Sequence, residues 1–591
     1  MATEIMRAKL THNDSVVPKL PSMTGAVMFS IKATAHQLKK GLDNRGQVRR
    51  YSIARAMERH SVIAQSRTPL FSNSSQAEAA LVAGKVQNLR VALAMLNGVE
   101  IPANDTFSFW AQIGRPSASR GFVEGRELRE GCLIPTIGGG LCQLSNALYS
   151  CALQAGLRII ERHAHSAVVP GSFAEYGQDA TVFWNYVDLR FASDQPFRIE
   201  AKLTRDELIV TFKGSPGASA VETFQIISRV KDGSSPASCA SCGQTSCFRN
   251  ASATRTMPRS GRTAYVVDEC WPEYNQYVSS RKRPDDAIGV PLTPRLVNRP
   301  NYGWDATGFG TVRSATTATL RRSLALRTIK DEPGARPRLL LKYDELIAAS
   351  LASLLTFDVS HVVVSQNLLP FLWRDGCLGG RTFDVLMTRL PVTVMQRRLD
   401  KILRLHPESK TAGEFRAEDW FVAAENEALA AANGLVTPNS EIAGLFPERA
   451  VRIPWQLPFG SKSNVPGGRI LFPAAALARK GAYEVRDAAS SLGISLTVAG
   501  PNLEDADFWR GVRTRRPKED MLDEVGLVLL PAYIEDKPRV LLRALARGIP
   551  VIASEACGLA GLPGVTVLPE IETGVLIDVI RSYTQARSRC A

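Results

Sequence analysis

No apolar run in the 591 residues approaches the length that spans a bilayer, and the N-terminus lacks a compact apolar segment followed by a small-residue cleavage site. A cytoplasmic chain without a transmembrane segment is the expectation. Cysteine is sparse, ten residues over the whole length with several in apolar segments, which suits a reducing compartment better than a disulfide framework. Helix-turn-helix, zinc-finger and RRM patterns are missing, so nucleic acid is not the expected partner. A fixed-period repeat is missing too, which excludes a solenoid. Acid is in deficit: 57 Asp and Glu stand against 72 Lys and Arg, a formal charge of +15. The excess is uneven, with nine Lys or Arg against three acids in the first fifty residues. Residues 1–60 are read as a basic, solvated leader, with peripheral contact to an anionic membrane as its other use.

What is present is the composition of a folded protein, 45% hydrophobic and 22% charged, on a chain too long for one core. Several domains are expected. Residues 61–214 read as an α+β unit: a helical stretch from Glu78 to Leu96, another from Leu141 to Ala155, and antiparallel strands from Phe197 to Leu203 and Glu207 to Phe212. Residues 215–337, rich in Ser, Arg, Pro and Gly, read as a cysteine-bearing connector. From 338 onward, short apolar runs of buried parallel-strand type alternate with helical patterns. They are His361 to Ser365, Gly434 to Thr437, Arg469 to Phe472, Ser495 to Ala499, Gly526 to Leu530 and Pro550 to Ala553. The C-terminal half is α/β, divided at 338–460 and 461–591.

The strongest local signal is Gly138-Gly139-Gly140-Leu141-Cys142-Gln143-Leu144-Ser145 running into a helix. Glycines leave backbone amides open, and a cysteine at a helix start has its thiolate favoured by unpaired N–H groups. Cys142, His165 and Asp179 are the residue types of a thiol nucleophile, its base and an orienting carboxylate, with Gln143 or the glycine-loop amides facing an oxyanion. The bland alternative is a tight loop-to-helix junction with a buried cysteine, and Cys132 and Cys151 read as core residues. Asn88, Gly98, Phe107-Ser108-Phe109, Gly114, the glycine-cysteine motif, Arg162, His165-Ser166, Asp179 to Val182 and Asp188 to Phe191 follow in the order of the VanW family, which residues 85–214 resemble. That family is named for its association with glycopeptide-resistance gene clusters. The resemblance implies a domain and not a reaction, and Cys-dependent acyl transfer is the expectation drawn from the residues.

In the connector, Cys239, Cys242 and Cys247 lie in one short polar loop and Cys270 follows in Asp-Glu-Cys-Trp. Four thiolates with a leading C-x2-C spacing suit zinc or an iron–sulfur cluster, though the second half departs from a paired C-x2-C ribbon. Free thiols are the alternative.

In the last third, Ile470 to Pro473 is followed by Arg479-Lys480-Gly481 at a helix opening, then Leu496 to Gly500, Val528 to Pro531, and Glu535 leading into a helix that ends before Gly548. Residues 338–585 in this order resemble retaining GT-B glycosyltransferases, built of two doubly wound lobes facing a cleft. The resemblance implies a nucleotide-sugar donor, Arg479, Lys480 and Gly481 meeting its diphosphate and Glu535 its ribose or sugar, as the catalytic acid of that lobe. The position eight residues after Glu535, acidic in the family, is Arg543 here. Val362 to Asn367 and Glu425 to Pro438 resemble the first lobe's closing elements, and Gly376 to Gly380 and His361 are candidates for an acceptor loop. The resulting expectation is transfer of a sugar from a nucleotide sugar to a glycan or envelope-precursor acceptor. The alternative is a binding or scaffold protein that keeps both folds without turnover.

Overall fold

The computed structural model describes residues 48–71, 79–129, 132–164, 179–184, 187–215, 261–293, 300–328, 334–413, 416–458, 468–517 and 520–590. The chain divides into two compact units, 1–260 and 261–591.

The first unit is α+β, as expected. Its main sheet is antiparallel, in the order β1 (Ser61–Pro69), β9 (Glu207–Gly214), β8 (Phe197–Leu203), β2 (Val99–Ile101). Alternation decides its inner face: Phe197, Ile199 and Ala201 on β8 and Leu208, Val210 and Phe212 on β9 are buried. A second sheet runs β3 (Thr106–Ser108), β7 (Arg190–Ala192), β6 (Arg158–Glu161), and β4 (Glu124–Arg129) pairs with β5 (Cys132–Ile137) as a hairpin. Phe107 stacks on Phe191 at 4.7 Å, and Phe197 and Phe212 complete an aromatic core. Burying each ring contributes about 1.5–3 kcal/mol. Helices Ala79–Leu93 and Cys142–Gln154 bury one face each against this core. The leader shortens accordingly. Tyr51 and Met57 are buried, and Ile53 bridges to Val99, so residues from 48 onward belong to this unit. Residues 1–47 lie outside the described residues.

The second unit contains two parallel sheets. One has the order β12 (Thr311–Ser314), β11 (Ala287–Val290), β10 (Arg262–Val266), β13 (Val359–Ser365), β14 (Thr382–Leu386), β15 (Gly434–Thr437), β16 (Ala450–Arg452). The other has β19 (Thr514–Arg515), β18 (Leu496–Val498), β17 (Arg469–Phe472), β20 (Val525–Leu530), β21 (Val551–Ser554), β22 (Val565–Leu568). Every pairing in both is parallel. Strands covered on both faces read as continuous apolar runs, and all six residues of β20 are buried. In each sheet the chain begins in the middle, fills one side, then reverses to fill the other. The reversal points, β10 against β13 and β17 against β20, are where doubly wound sheets open a crevice at the C-terminal ends of their strands. The chain is therefore multidomain, with the expected pair of α/β lobes.

One boundary moves. The stretch read as connector supplies β10, β11, β12 and the helices Pro272–Ser279 and Thr316–Thr328, so the first lobe starts at 261 and not at 338. These strands escape a periodicity reading because they are four or five residues long between Pro-, Gly- and Arg-rich turns.

Candidate functional site

In the first unit the glycines of the glycine-cysteine motif are required by packing. A Cβ on Gly139 would stand 2.4 Å from the Gly125 carbonyl oxygen, and one on Gly140 would stand 2.1 Å from Lys85 Cγ. Only glycine lets the β4–β5 hairpin lie this close to itself and to the helix Ala79–Leu93. Asn88 closes the arrangement: its amide donates to the carbonyls of Val123 (3.0 Å) and Gly139 (2.9 Å), and its Oδ1 accepts from Val123 N at 2.8 Å.

Cys142 begins the helix Cys142–Gln154 and is half-buried, with its sulfur 3.7 Å from both Thr181 Oγ1 and the Val182 carbonyl. Ser145 Oγ donates to the Ala180 carbonyl at 2.5 Å and Ala180 N donates to Asn146 Oδ1 at 2.8 Å, which fixes the 179–182 segment against the helix. Asp179 is thereby brought to the same region. Its carboxylate pairs with Arg162 Nη2 at 2.7 Å, and Arg162 Nε donates to its carbonyl at 2.7 Å. His165 lies outside the described residues, and the triad with it. One expectation changes. Gln143 holds the end of β1, its amide donating to Thr68 Oγ1 and to the Pro69 carbonyl at 2.8 and 2.9 Å, so it does not face an oxyanion. The N–H groups of Gly138, Gly139, Gln143, Leu144 and Ser145 are taken by nearby carbonyls.

Lys85 went unnoticed in the sequence. It is buried, donates to the Leu70 carbonyl at 2.6 Å, and is pushed down to about 8 by burial, with the charge of Arg126 adding to the effect. A lysine inside a helical stretch carries no signal of this. Asp188, from the matched Asp188 to Phe191 run, accepts from Ser108 Oγ (2.6 Å), Trp110 N (3.1 Å) and Arg190 Nε (2.9 Å), tying β3 to β7. Cys151 is a core thiol as expected, pushed up to about 12 by burial.

Cys239, Cys242 and Cys247 lie outside the described residues. Cys270 follows β10, and burial, with Glu269 adding, pushes its thiol up to about 12, away from the thiolate a metal prefers. Among the described residues no group of three or more His, Cys, Asp or Glu is placed to hold a metal ion.

The second unit carries the crevice chemistry. After β17 the chain turns through Ala478–Lys480 and Gly481 into the helix Ala482–Leu492. Gly481 has φ +72°, and a Cβ there would lie 2.2 Å from the carbonyl oxygen of Pro531, the residue after β20, so the glycine permits this close approach. The Arg479 carbonyl accepts from Tyr533 N and Ile534 N at 2.9 and 3.1 Å. Lys480 Nζ donates to the Ile534 carbonyl at 3.0 Å and to Glu535 Oε2 at 2.9 Å. Two residues expected to grip a donor are thus brought together, and they grip each other. Asp536 is pushed up by burial, against the positive charge of Lys480, and its Oδ1 has no hydrogen-bond partner. Arg479 makes no ion pair among the described residues. Arg543, at the family's second acidic position, lies 3.5 Å from Asp520.

Sequence reasoning also missed the bridge between the lobes. Arg539 donates from both terminal nitrogens to Glu273 at 2.8 Å, its guanidinium lying 4.9 Å from the Trp271 ring and 5.5 Å from the Trp455 ring. Glu273 is buried and also accepts from Gln456 N at 3.0 Å. Lys537 pairs with Glu269. The loop after β20 therefore faces the loop after β10, one switch point against the other. Beneath the latter, Arg322 pairs with Asp268 (2.7 Å) and Asp344 (2.6 Å), all three buried, and Asn367 Nδ2 donates to Asp268 at 2.7 Å. Burial and the neighbouring Asp268 push Asp344 upward. The other first-lobe candidates sit at the wrong end. His361 lies near the start of β13, bonded to Thr382 Oγ1 at 2.8 Å, and Gly376 to Gly380 precede β14, both at the N-terminal edge away from the crevice.

Comparison with known proteins divides the chain in the same way. The family model for VanW like protein matches residues 84–213. Over 126 residues the chain is 36% identical to the uncharacterized protein YoaR of Bacillus subtilis (strain 168), covering 21% of this chain and 41% of that protein. It is 33% identical over 126 residues to the vancomycin B-type resistance protein VanW of Enterococcus faecalis (strain ATCC 700802 / V583), covering 21% and 46%. The chain thus spans less than half the length of these relatives. Among solved structures, a sucrose-phosphate synthase from Thermosynechococcus elongatus is similar at 15% identity and a TM-score of 0.36, over 55% of this chain and 90% of that one. WaaG, a glycosyltransferase involved in lipopolysaccharide biosynthesis, is similar at 15% identity and a TM-score of 0.29, over 54% and 90%. Scores this low carry no argument about activity, and the reading of the lobes rests on their own strand order. Residues 84–213 are a VanW-like domain within a longer chain.

Proposed function

We propose that residues 261–591 are a glycosyltransferase half that takes a nucleotide-sugar donor in the second lobe and passes the sugar to a glycan or envelope-precursor acceptor. The observation that carries the reading is the pair of doubly wound sheets whose switch points face each other across one crevice. Arg479, Lys480 and Gly481 stand at the opening of a helix beside that crevice, where a leaving diphosphate needs positive charge. Retention of configuration and a cytoplasmic location belong to the same proposal. No helix among the described residues is long and apolar enough to cross a membrane. The VanW-like domain would act on or recognise the same envelope material, with Cys142 as its thiol.

A second reading is favoured by a specific observation. Lys480 is paired with Glu535, so one of the two cations expected to meet a donor diphosphate in the second-lobe crevice already has a carboxylate against it. That suits a sugar-nucleotide binder or scaffold without turnover. Thermal unfolding of the full chain against a panel of nucleotides and nucleotide sugars tests both. A ligand at a hundredfold over its dissociation constant adds about 2.7 kcal/mol of stability. A stabilising donor followed by release of free nucleotide supports the transferase, and stabilisation without release supports the binder. No stabilisation by any donor removes both.

A further inference from the structure

The second lobe has another concave feature, two strands from its switch point. A cavity of about 360 Å³ opens where β18 and β19 end, walled by Asn502, Trp509, Arg510, Thr514, Arg515 and Arg516. Arg510, Arg515 and Arg516 face it with only Asp507 as a carboxylate in the lining, and none of the three guanidinium groups has an ion-pair partner among the described residues. Arg516 is held in place by donating to the Gly500 carbonyl. Trp509 is 6% exposed, and its indole N–H has no hydrogen-bond partner. The contrast with the crevice is one of charge. Lys480, Lys537 and Arg539 each have a carboxylate against them and Arg479 does not, whereas all three guanidinium groups of the cavity lack an ion-pair partner among the described residues.

We propose that this cavity is an anion site that takes a phosphoryl ligand. Planar guanidinium forks match phosphate oxygens in pairs, and uncompensated ones at a concave surface concentrate anions. Arg510 and Arg515 supply the charge, and Asn502 and Thr514 supply neutral hydrogen-bonding groups at the rim. Arg516 shapes the floor through its bond to Gly500. The lining shares no residue with the donor-site candidates Arg479, Lys480, Gly481 and Glu535, so its test reads separately from that of the glycosyltransferase proposal.

The test is calorimetric titration of the full chain with inorganic pyrophosphate at low and at physiological salt. One saturable site is expected, weakening as salt rises. The Arg510→Ala, Arg515→Ala double variant, altered only at exposed side chains, is expected to lose at least tenfold in affinity, with the double lysine variant intermediate. Arg479→Ala is expected to bind as the unaltered protein does. Absence of binding by the unaltered chain overturns the proposal. So does undiminished affinity in the double alanine variant, and loss of binding in Arg479→Ala alone would place the anion in the crevice instead.

Discussion

The two motifs that stand out in this chain are held by different forces. In the first unit the glycine-cysteine turn is fixed by contact: Gly139 against the Gly125 backbone, Gly140 over Lys85, and Asn88 stitched to both strands of the hairpin. In the second unit the Arg479-Lys480-Gly481 turn needs glycine at one close approach, and beyond that the crevice is fixed by charge: Lys480 on Glu535, Lys537 on Glu269, Arg539 on Glu273. The lesson is that a glycine-rich signature and a basic signature ask different questions of a structure. The first asks what cannot fit, the second asks which carboxylate is already there.

The sharpest way to break the charge-held side is Arg539→Ala. It leaves the buried Glu273 carboxylate without its cation, and removal of one partner of a buried pair costs about 3–5 kcal/mol. Hydrogen exchange should show loosening at the loops after β10 and β20 together, with the first unit unaffected. If only the loop after β20 loosens, the bridge does not couple the lobes.

On the contact-held side, alkaline titration should have a smaller effect, on the order of 3 kcal/mol. Lys85 is pushed down to about 8 from 10.5, so between these values the unfolded chain binds more protons than the folded one. Stability of the first unit should therefore rise as pH increases from about 8 towards 10.5. Urea titration read by limited proteolysis reports each unit through its own fragments. Lys85→Met should flatten the rise, and an unchanged slope in that variant would assign it to other groups.

Gly139→Ala should cost about 1–3 kcal/mol, because its Cβ meets backbone that can move only by distorting the hairpin. The same substitution at Gly376, whose Cβ would meet nothing within 4 Å, costs only its positive φ and serves as the comparison in the other unit. Equal destabilisation by the two, measured by urea midpoint, would show that the close approach at Gly139 is relieved easily.

Much of this fold could be read from residues, and the reason is local. The runs seen as β13, β15, β17, β18, β20 and β21 are mostly buried and mostly apolar, and β8 places Phe197, Ile199 and Ala201 on its buried face. The strands β10, β11 and β12 were hidden because short segments among Pro, Gly and Arg show no period. Site residues fared less well. Lys480 and Glu535 were found by their place in a motif, yet their mutual pairing depends on side chains meeting across 55 positions, and the Arg539–Glu273 bridge spans 266. No local pattern encodes such a meeting. Candidates such as His361 and Gly376 to Gly380 failed for a topological reason, since a parallel strand has a functional end, and sequence alone did not say which end each occupied.

The smallest effect expected lies where the lobes meet through His406. Its Nε2 is 2.8 Å from Glu484 Oε1, its ring stacks on Tyr483 at 4.3 Å, and Tyr533 donates its hydroxyl to the same Glu484 oxygen at 2.7 Å. The groups facing the ring are Glu484, Glu408 and Asp487, all negative, and the hydrogen bond to Glu484 is the leading cause that raises its pKa above the ordinary 6.5, against burial, which lowers it. The sign follows. A histidine whose folded pKa is raised contributes its full stability below the unfolded value, and the contribution is lost as pH rises through the folded value. Stability of the second unit should therefore fall modestly from about pH 6.5 upward, by no more than about 1 kcal/mol, because the ring is partly exposed and its charge is screened. The first unit responds in the opposite sense at higher pH through Lys85, so the two proteolytic transitions should move apart as the solution is made alkaline. His406→Gln keeps a hydrogen bond to Glu484 and removes the titration. It should abolish the fall between neutral and mildly alkaline pH while leaving the first unit's rise in place. A second-unit stability that still declines in this variant would mean that another group, and not the His406–Glu484 contact, carries the lobes' response to pH.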